Sequence, residues 1–283
     1  MELGVVAAVL GAAFLHAFWN FMVRRAVDKA LGMASVMIGH VPLAVLALLW
    51  IGLPPLASAP YVLMSAVLHV GYSVFLLHAS RFGELSEIYP IARGASPILI
   101  TLGTVTFLPD RLSLYQMLGV LMISTAILAY GFAQFLKTTI NSAGIVLALI
   151  ASCFIAAYTI VDGTGTRVAQ NAMIYFGMTS ICSAVVLVIY FQRFHNGVIK
   201  RVFTKSWRFC LVGGSASFIA YGIVLWACLS APIALVSSSR ETSVLFAVEL
   251  GTILLGERLT IFKICMTLVI LAGIIFLRLG YVV

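Results

Sequence analysis

The chain has 283 residues, of which 63% are hydrophobic and only 9% are charged, and its mean hydropathy is +1.14. Soluble domains are usually about half apolar and about a quarter charged, so this composition excludes a soluble globular protein and indicates an integral membrane protein. The formal net charge is +8, but most basic residues lie in short connections between apolar segments. That distribution is typical of topology determinants rather than of nucleic-acid binding.

The apolar sequence divides into ten segments, each long enough for a membrane-spanning helix of roughly 20 residues. We predict spans at 4–23, 31–52, 61–80, 88–107, 114–133, 143–162, 171–191, 209–229, 235–255 and 261–279. Helix is predicted throughout, because backbone groups in lipid must form hydrogen bonds within their own segment and no barrel-like alternation occurs. No basic leader precedes the first segment, which is therefore expected to be a span rather than a cleaved signal.

Two arginines within apolar segments mark an internal duplication. Arg93 and Arg240 are each followed eighteen residues later by another arginine, and a shift of 147 residues superimposes the two stretches without a gap. We predict two repeats of five spans each, residues 1–136 and 137–283. An odd number of spans makes the second repeat enter the membrane in the opposite direction. The predicted fold is an all-α integral membrane protein with ten transmembrane helices, arranged as two inverted five-helix repeats.

Basic residues are distributed unevenly between the connections. Twelve lie in connections that follow odd-numbered spans, whereas three lie after even-numbered spans or at the termini. Cytoplasmic connections of membrane proteins carry an excess of lysine and arginine. The charge distribution therefore predicts that the odd-numbered connections are cytoplasmic and that both termini lie outside.

Seven short stretches resemble the motifs of a known transporter family. They are residues 16–20 (HAFWN), 69–72 (HVGY), 89–94 (YPIARG), 157–163 (AYTIVDG), 231–235 (APIAL), 240–243 (RETS) and 256–258 (GER). On these stretches the whole chain resembles the EamA-type transporters of the drug/metabolite transporter superfamily. The resemblance implies ten helices around a central cavity lined by spans 1, 3, 4, 6, 8 and 9, with spans 5 and 10 at the periphery. It also implies cytoplasmic termini, in contrast to the charge distribution.

Arg93 and Arg240 are predicted to bind an anionic group of a substrate. Burying a guanidinium in lipid costs at least about 2.5–3.5 kcal/mol, so each arginine should face a cavity or a partner. Its planar fork matches a carboxylate or a phosphonate. The alternatives are structural ion pairs with Glu241 or Glu249, and side chains that extend to the lipid headgroups. Pro97 leaves the Arg93 carbonyl without an amide partner, which favours Arg93 as the substrate-binding arginine.

Three acidic residues are candidates for proton coupling. Glu241 and Glu249 are about two helical turns apart on span 9, so they are expected near one face. An intramembrane acid can bind and release protons as a site opens to either side of the membrane, and Glu241 is favoured because it adjoins Arg240. A fixed ion pair with an arginine is the alternative. Asp162 ends span 6, a position that favours a helix-end cap or turn residue over a gate residue.

Polar and aromatic side chains are predicted to complete the substrate site. His16, Trp19 and Asn20 form one face of span 1, which should look inward because His and Asn are unfavourable toward lipid. The other candidates, which include a tyrosine repeated between the two halves, are His69, Tyr72, Tyr89, Tyr158, Tyr221 and Trp226. Their alternative roles are hydrogen bonds between helices and ordinary packing.

Two turns and three small residues are expected to be structural. The acids of the turns at 109–111 (PDR) and 256–258 (GER) should lie near the N-terminus of the next span, where the helix dipole favours them. Gly119, Ala126 and Gly273 permit close helix packing, and they leave a homodimer open beside a monomer. The cysteines are scattered and show no metal-ligand spacing, so neither a metal nor a cofactor is predicted.

The predicted function is that of a secondary transporter. It would move a small organic metabolite, anionic or zwitterionic, across a bacterial-type cytoplasmic (inner) membrane by alternating access, with an acidic residue as the candidate coupling group. Its partners would be the solute and membrane lipids, not nucleic acid. A flippase for lipids or amphiphiles is the alternative, because two arginines in a groove would also suit a lipid phosphate. No Walker loop and no catalytic spacing occur, so no enzyme is predicted.

Overall fold

The computed structural model describes residues 3–25, 28–82, 85–135, 142–255 and 260–280, and every regular element in these ranges is helical. In chain order the helices are α1 Leu3–Arg25, α2 Lys29–Gly39, α3 Val41–Ile51, α4 Ala59–Ala79, α5 Leu85–Phe107, α6 Leu114–Phe135, α7 Ser142–Ala169, α8 Ala172–Phe194, α9 Val198–Lys205, α10 Trp207–Ala227, α11 Ile233–Arg240, α12 Ser243–Leu255 and α13 Ile261–Leu279. Within the described ranges, eight helical stretches are long and apolar enough to span a membrane. The chain is therefore a multi-pass integral membrane protein.

The two predicted spans outside this set of eight are those that carry the buried arginines. α5 contains Arg93 and two internal prolines, which make it less apolar than its neighbours. The span predicted at 235–255 is divided into α11 and α12 by a turn at Glu241 and Thr242. Both departures from a plain apolar helix thus occur where charged side chains enter the membrane-embedded region.

The second predicted span is also divided, at His40, into α2 and α3. Pro42 lies in the first turn of α3, where its missing N–H is tolerated. Just before the break, α2 crosses α10 so closely that a Cβ at Gly39 or at Gly214 would overlap with the backbone of the opposite helix. Glycine is therefore required at both positions of this crossing.

The predicted end of span 6 is wrong, because α7 continues to Ala169. Asp162 consequently lies inside a helix, about two turns before its end, and is neither a cap nor a turn residue. Gly163 and Gly165 follow it and read as a turn in the sequence. In the structure both glycines are packed so tightly that a Cβ at either position would overlap with a neighbouring side chain.

A short amphipathic helix, α9, lies in the connection between the seventh and eighth predicted spans. Val198 and Val202 are buried, whereas Lys200 on the opposite face is exposed. This pattern suits a helix that lies in the membrane interface rather than one that crosses the bilayer. Arg201 Nη1 contacts Asp28 Oδ2 at 2.7 Å, which ties α9 to the residue that caps α2.

The helices pack in pairs that recur between the two halves of the chain. α4 packs against α7 and α10 against α1; α5 packs against α7 and α12 against α1; α4 packs against α8 and α10 against α2. Each contact therefore has a counterpart in which helices of one half replace those of the other.

The glycines of the fifth and tenth predicted spans face each other across the contact between α6 and α13. A Cβ at Gly119 would lie 2.7 Å from the carbonyl oxygen of Gly273, and Ala126 is also buried. These small residues are occupied by packing within one chain. The close helix packing expected for these residues therefore occurs within one chain.

Candidate functional site

A large cavity lies between the helices, with about 1050 Å³ of empty space including its open mouth. The predicted substrate residues that line it are His16, Trp19, Asn20, His69, Tyr72, Tyr89, Arg93, Tyr158, Tyr221 and Arg240. They come from α1, α4, α5, α7, α10 and α11, which are the spans that the family resemblance implied. Of the described residues, none from α6 or α13 lines the cavity.

The cavity opens at one end of the helices and is closed at the other. Its lining extends to Val23 near the end of α1, Lys29 at the start of α2 and Ser80 just after α4. These positions lie in or next to the connections after the first and third predicted spans. The mouth therefore lies on the side of the molecule that carries most of the basic residues.

The two arginines share one buried carboxylate. Arg93 Nε lies 3.0 Å from Glu241 Oε2, and Arg240 Nη2 lies 3.5 Å from Glu241 Oε1. Both arginine side chains are 2% exposed and the glutamate is fully buried. The guanidinium groups are therefore enclosed by protein and do not extend to lipid headgroups.

Each arginine keeps hydrogen-bonding capacity beyond this ion pair. The Nη2 atom of Arg93 and the Nε atom of Arg240 take no part in these ion pairs, and both are buried without a hydrogen-bond acceptor among the residues that the structure describes. The ring of Tyr89 lies 5.6 Å from the Arg93 guanidinium, and the ring of Tyr221 lies 5.8 Å from that of Arg240. Since a guanidinium has five N–H donors, two arginines on one carboxylate leave donors for an additional anion.

The expected free carbonyl of Arg93 is not free. Pro97 removes the amide donor, as predicted, but the Ser96 hydroxyl donates a hydrogen bond to the Arg93 carbonyl oxygen at 3.0 Å. A serine one residue before the proline thus replaces the missing backbone donor. The carbonyl gives no reason to favour Arg93 over Arg240.

Asp162 forms the centre of a second buried cluster. Its Oδ1 accepts a hydrogen bond from the Tyr175 hydroxyl at 3.0 Å, and its Oδ2 accepts one from the Tyr221 hydroxyl at 2.7 Å. His69 Nε2 lies 2.9 Å from the same Oδ2. The His69 ring also stacks on Tyr158, with 4.1 Å between ring centroids. Asp162 is fully buried, whereas the His69 side chain is 17% exposed.

The polar face of α1 contacts both the cavity and the neighbouring helix. His16 Nε2 and the Tyr89 hydroxyl are 3.1 Å apart, and Asn20 Nδ2 donates to the His16 carbonyl at 2.8 Å. The indole N–H of Trp19 is buried without an acceptor in the described part of the chain. The interhelical hydrogen bond and the cavity position expected for this face therefore occur together.

An ion pair between Asp110 and Arg167 closes the end of the molecule opposite the mouth. Arg167 Nη1 and Nη2 contact the two carboxylate oxygens at 3.0 and 3.2 Å. The guanidinium also donates to the carbonyl oxygens of Cys228 and Ala231, each at 3.0 Å. The Ile233 amide donates to Asp110 Oδ2 at 3.2 Å. We call these five residues the closing clamp.

The closing clamp changes the interpretation of the turn at 109–111. Asp110 caps the first turn of α11 instead of the following helix, α6. The start of α6 is capped by Ser113 and Gln116, whose side chains exchange hydrogen bonds with each other's backbone amides. The matching turn at 256–258 lies outside the described residues.

Comparison with known proteins identifies the family. Residues 142–279 match the EamA-like transporter family, which is part of the drug/metabolite transporter superfamily. The second half of the chain belongs to this family. The resemblance stated from its motifs is confirmed, and the protein is a membrane transporter of the drug/metabolite type.

The fold of this EamA-family transporter is shared with solved structures. One crystal structure of another protein superposes with a TM-score of 0.80 over 99% of both chains, at 16% sequence identity. At this identity the likeness establishes the fold and nothing more specific. No curated protein matches the transporter in sequence.

Two predicted site residues of the transporter are exposed on the outer surface of the helices instead of lying at the cavity. Trp226 is 47% exposed, because it follows Tyr221 by five residues and therefore lies on another face of α10. Glu249 is exposed on α12. The turn at Glu241 and Thr242 interrupts the helical periodicity between the two glutamates, so their predicted common face is wrong.

The transporter cavity also has lining residues that were not predicted. They lie mainly on α2 and α8 and include Met33, Met37, His40, Phe176, Ser180 and Ser183. The sequence contained a signal for the lining residues on α8, since Ser180 and Ser183 are three residues apart and therefore lie on one helix face. Methionines in an apolar span carried no such signal.

Proposed function

We propose that this EamA-family transporter is a secondary transporter that moves a small organic anion or zwitterion by alternating access, coupled to protons. We place it in a bacterial-type cytoplasmic membrane. The observation that carries the proposal is the pair of buried arginines, Arg93 and Arg240, which line one cavity and keep donors beyond their shared carboxylate.

The chemistry of the cavity supports an anionic organic solute. A buried arginine is costly, so two of them in one cavity are best explained by a ligand that uses their charge. Guanidinium donors match the paired oxygens of a carboxylate or a phosphonate. The rings of Tyr72, Tyr158 and Trp19 would contact the organic part of the solute, since ligand cavities combine apolar walls with a few polar groups.

Alternating access is supported by the recurring helix contacts and by the different ends of the cavity. We propose ten spans in two inverted repeats, 1–136 and 137–283, because contacts of one half recur in the other. With the basic side in the cytoplasm, the cavity would be open to the inside and the closing clamp would seal the outside. Both termini would then be external. A reporter fused to the C-terminus tests this orientation, and cytoplasmic activity of the reporter contradicts it.

The proposal is tested by uptake into proteoliposomes. We would screen radiolabelled benzoate, glutamate and methylphosphonate beside a neutral analogue of each. We expect uptake of at least one anion, and a reduction of about 100-fold in Arg93→Ala, because a charged hydrogen bond is worth roughly 1.5–3 kcal/mol and its loss leaves Glu241 less well paired. The matched control is Arg193→Ala, which changes an exposed arginine near the end of α8.

Three outcomes of the screen are informative. Equal uptake in Arg93→Ala, in Arg240→Ala and in the unmodified protein would end the proposal that the arginines bind an anion. Uptake of the neutral analogues alone would do the same. If no solute moves but a fluorescent phospholipid is transferred between leaflets, the transporter is a flippase that uses the same cavity.

A further inference from the structure

We propose that His69 and Asp162 form the proton-binding site of this transporter, and that a proton on His69 balances the charge of one transported anion. This inference rests on the proposed anion transport and names the group that couples transport to protons. It replaces Glu241, which the sequence favoured for that role.

Glu241 is unsuited to release and rebind protons because fixed cations hold it. It lies within 3.5 Å of two arginines that are themselves 2% exposed. Protonation of Glu241 would leave two buried guanidinium groups close together without a counter-ion. Removing one partner of a buried ion pair is strongly destabilising because the remaining charge is left uncompensated, and this penalty opposes a proton on Glu241.

Asp162 has a different set of partners. Among the residues that the structure describes, neither a lysine nor an arginine pairs with it; its partners are two tyrosine hydroxyls and His69. The hydroxyls can only donate to an ionised carboxylate, so they stabilise the negative charge without neutralising it. His69 is the partner that can become a cation in the physiological pH range.

His69 is also the member of this cluster that a proton can reach. Asp162 is fully buried, while His69 lines the cavity and is 17% exposed. The stack on Tyr158 and the contact with Asp162 hold the ring in place. A proton that enters from the cavity therefore arrives on a histidine that already faces a carboxylate.

The groups around His69 come from each helix that surrounds it. They are Asp162 and Tyr158 on α7, Tyr221 on α10, Tyr175 on α8, His40 between α2 and α3, and Tyr72 on α4 itself. Asp162 is the anion in this set, and it favours a proton on His69. The other histidine, His40, packs between the rings of Phe176 and Phe218 instead.

The buried charges of the cavity explain why the proton and the anion would move together. Arg93 and Arg240 carry two positive charges, and Glu241 and Asp162 carry two negative charges, so the buried site is neutral when His69 is neutral. The pair Asp28 and Arg201 and the side chain of Lys29 lie at the mouth, outside this balance. An anion bound by the arginines adds one negative charge, and a proton on His69 restores neutrality.

Thermodynamic linkage turns this balance into coupling. If a bound anion favours protonation of His69, then a proton on His69 increases anion affinity by the same factor. One monovalent anion and one proton would cross together without net charge. A pH gradient would therefore drive uptake, whereas a membrane potential would not.

The first test measures the protonation of His69 without any solute. The transporter, labelled with ¹⁵N-histidine, is placed in lipid nanodiscs, and the signal of His69 among the five histidines is assigned from its loss in His69→Gln. The ring signal is compared between the unmodified protein and Asp162→Asn from about pH 8 to about pH 5, and we expect its dependence on pH to differ between the two. A ring that keeps one protonation state over this range, or the same titration in Asp162→Asn, overturns the inference.

The second test separates proton coupling from transport. Two rates are measured in proteoliposomes with the benzoate, glutamate and methylphosphonate probes. The first is exchange of the probe when the pH is equal on both sides of the membrane, and the second is uptake driven by an inward proton gradient. We expect the ratio of driven uptake to exchange to fall about tenfold in His69→Gln, a typical coupling factor. His78→Gln is the matched control, because His78 lies on the same helix with its Nδ1 bonded to the Val74 carbonyl.

The outcomes distinguish this inference from the proposed function. If no probe exchanges in the unmodified transporter, the proposed anion transport fails. If exchange occurs and the ratio in His69→Gln equals that of the unmodified protein, the anion transporter stands and the role of His69 is overturned. Driven uptake that follows a potassium–valinomycin potential at equal pH would likewise contradict a neutral pairing of one anion with one proton.

Discussion

The two ends of the cavity are held by different kinds of contact. At the mouth, Asp28 and Arg201 form an ion pair in which both side chains are at least one-third exposed, 33% and 39%. At the closed end, Asp110 is only 11% exposed, and Arg167 joins it to two backbone carbonyls. The closed end is therefore held by these polar bonds together with the apolar cluster that contains Cys228, Ala231 and Ile233.

This difference matters for alternating access. The closing clamp connects the turn before α6, the end of α7 and the turn between α10 and α11, so these three connections must separate together when the site opens there. The ion pair at the mouth connects only α9 to the cap of α2. Substitutions in the closing clamp should consequently have larger effects than equivalent substitutions at the mouth.

The largest effect is expected for Arg167→Ala. The substitution removes the bidentate partner of Asp110 and the donors to Cys228 and Ala231, and it leaves a mostly buried carboxylate unpaired. We expect a loss of about 2–3 kcal/mol in the free energy of the closed arrangement, because hydrogen bonds to charged groups have this size. The measurement is labelling of Cys228 by an impermeant maleimide in a variant without the other cysteines. Cys228 is 1% exposed, so it should react slowly until Arg167 is removed.

A matched control for this experiment is Arg193→Ala in the same background, which should leave the labelling rate unchanged. If Cys228 reacts equally fast with and without Arg167, the ion pair does not keep this end closed. Labelling from the side of the basic connections would contradict the proposed position of the mouth.

A smaller effect is expected for Asp110→Asn. The amide oxygen can still accept the hydrogen bond from the Ile233 N–H, so the cap of α11 survives while the charge pair is lost. We expect about 1–2 kcal/mol, again read from the labelling rate of Cys228. An effect as large as that of Arg167→Ala would show that the carboxylate charge, rather than the donors to the carbonyls, dominates the closing clamp.

The central arginines could be predicted from the sequence, because physics allows them few positions. A guanidinium within an apolar helix must face protein or a cavity, so Arg93 and Arg240 were expected to look inward. Their spacing under a constant shift also predicted that they occupy equivalent segments of two repeats. The same argument, that polar side chains are unfavourable toward lipid, predicted that His16 and Asn20 on α1 also face the cavity.

The buried cluster around Asp162 could not be found this way, because its members are distant in sequence. Asp162 meets His69 and Tyr221 across three helices, and neither partner lies within helical reach of it along the chain. The glycines after Asp162 also favoured a turn. In the structure α7 continues through both glycines, and the side chains of Ile233 and Tyr175 pack against them.

The prediction that Glu249 shares a helix face with Glu241 was wrong for a related reason. Its predicted face assumed one uninterrupted helix from Glu241, but a turn intervenes at Glu241 and Thr242. Neither glycine nor proline marks this turn in the sequence. The break occurs where Glu241 contacts both arginines.

The smallest effect is expected for Asp28→Asn at the mouth. Asparagine is also a good N-cap, so the hydrogen bond to the Leu31 amide can remain. The ion pair with Arg201 is partly exposed and is worth less than about 1 kcal/mol. The midpoint of thermal unfolding in detergent should therefore change little. The control is Glu249→Gln, which changes an exposed side chain on α12. A loss equal to that of the closing clamp would remove the contrast between the two ends.

The pH dependence of this contact has a definite sign. Partial burial acts to raise the pKa of Asp28, but the Leu31 amide and the Arg201 guanidinium outweigh it, so the pKa lies below its usual value. A carboxylate with a lowered pKa stabilises the folded state above its unfolded pKa, and that stabilisation is lost as the pH falls through the folded pKa. The difference in stability between the unmodified protein and Asp28→Asn should thus be constant near neutral pH and shrink only in acid. A difference that grows as the pH falls would show that Asp28 is not paired in this way.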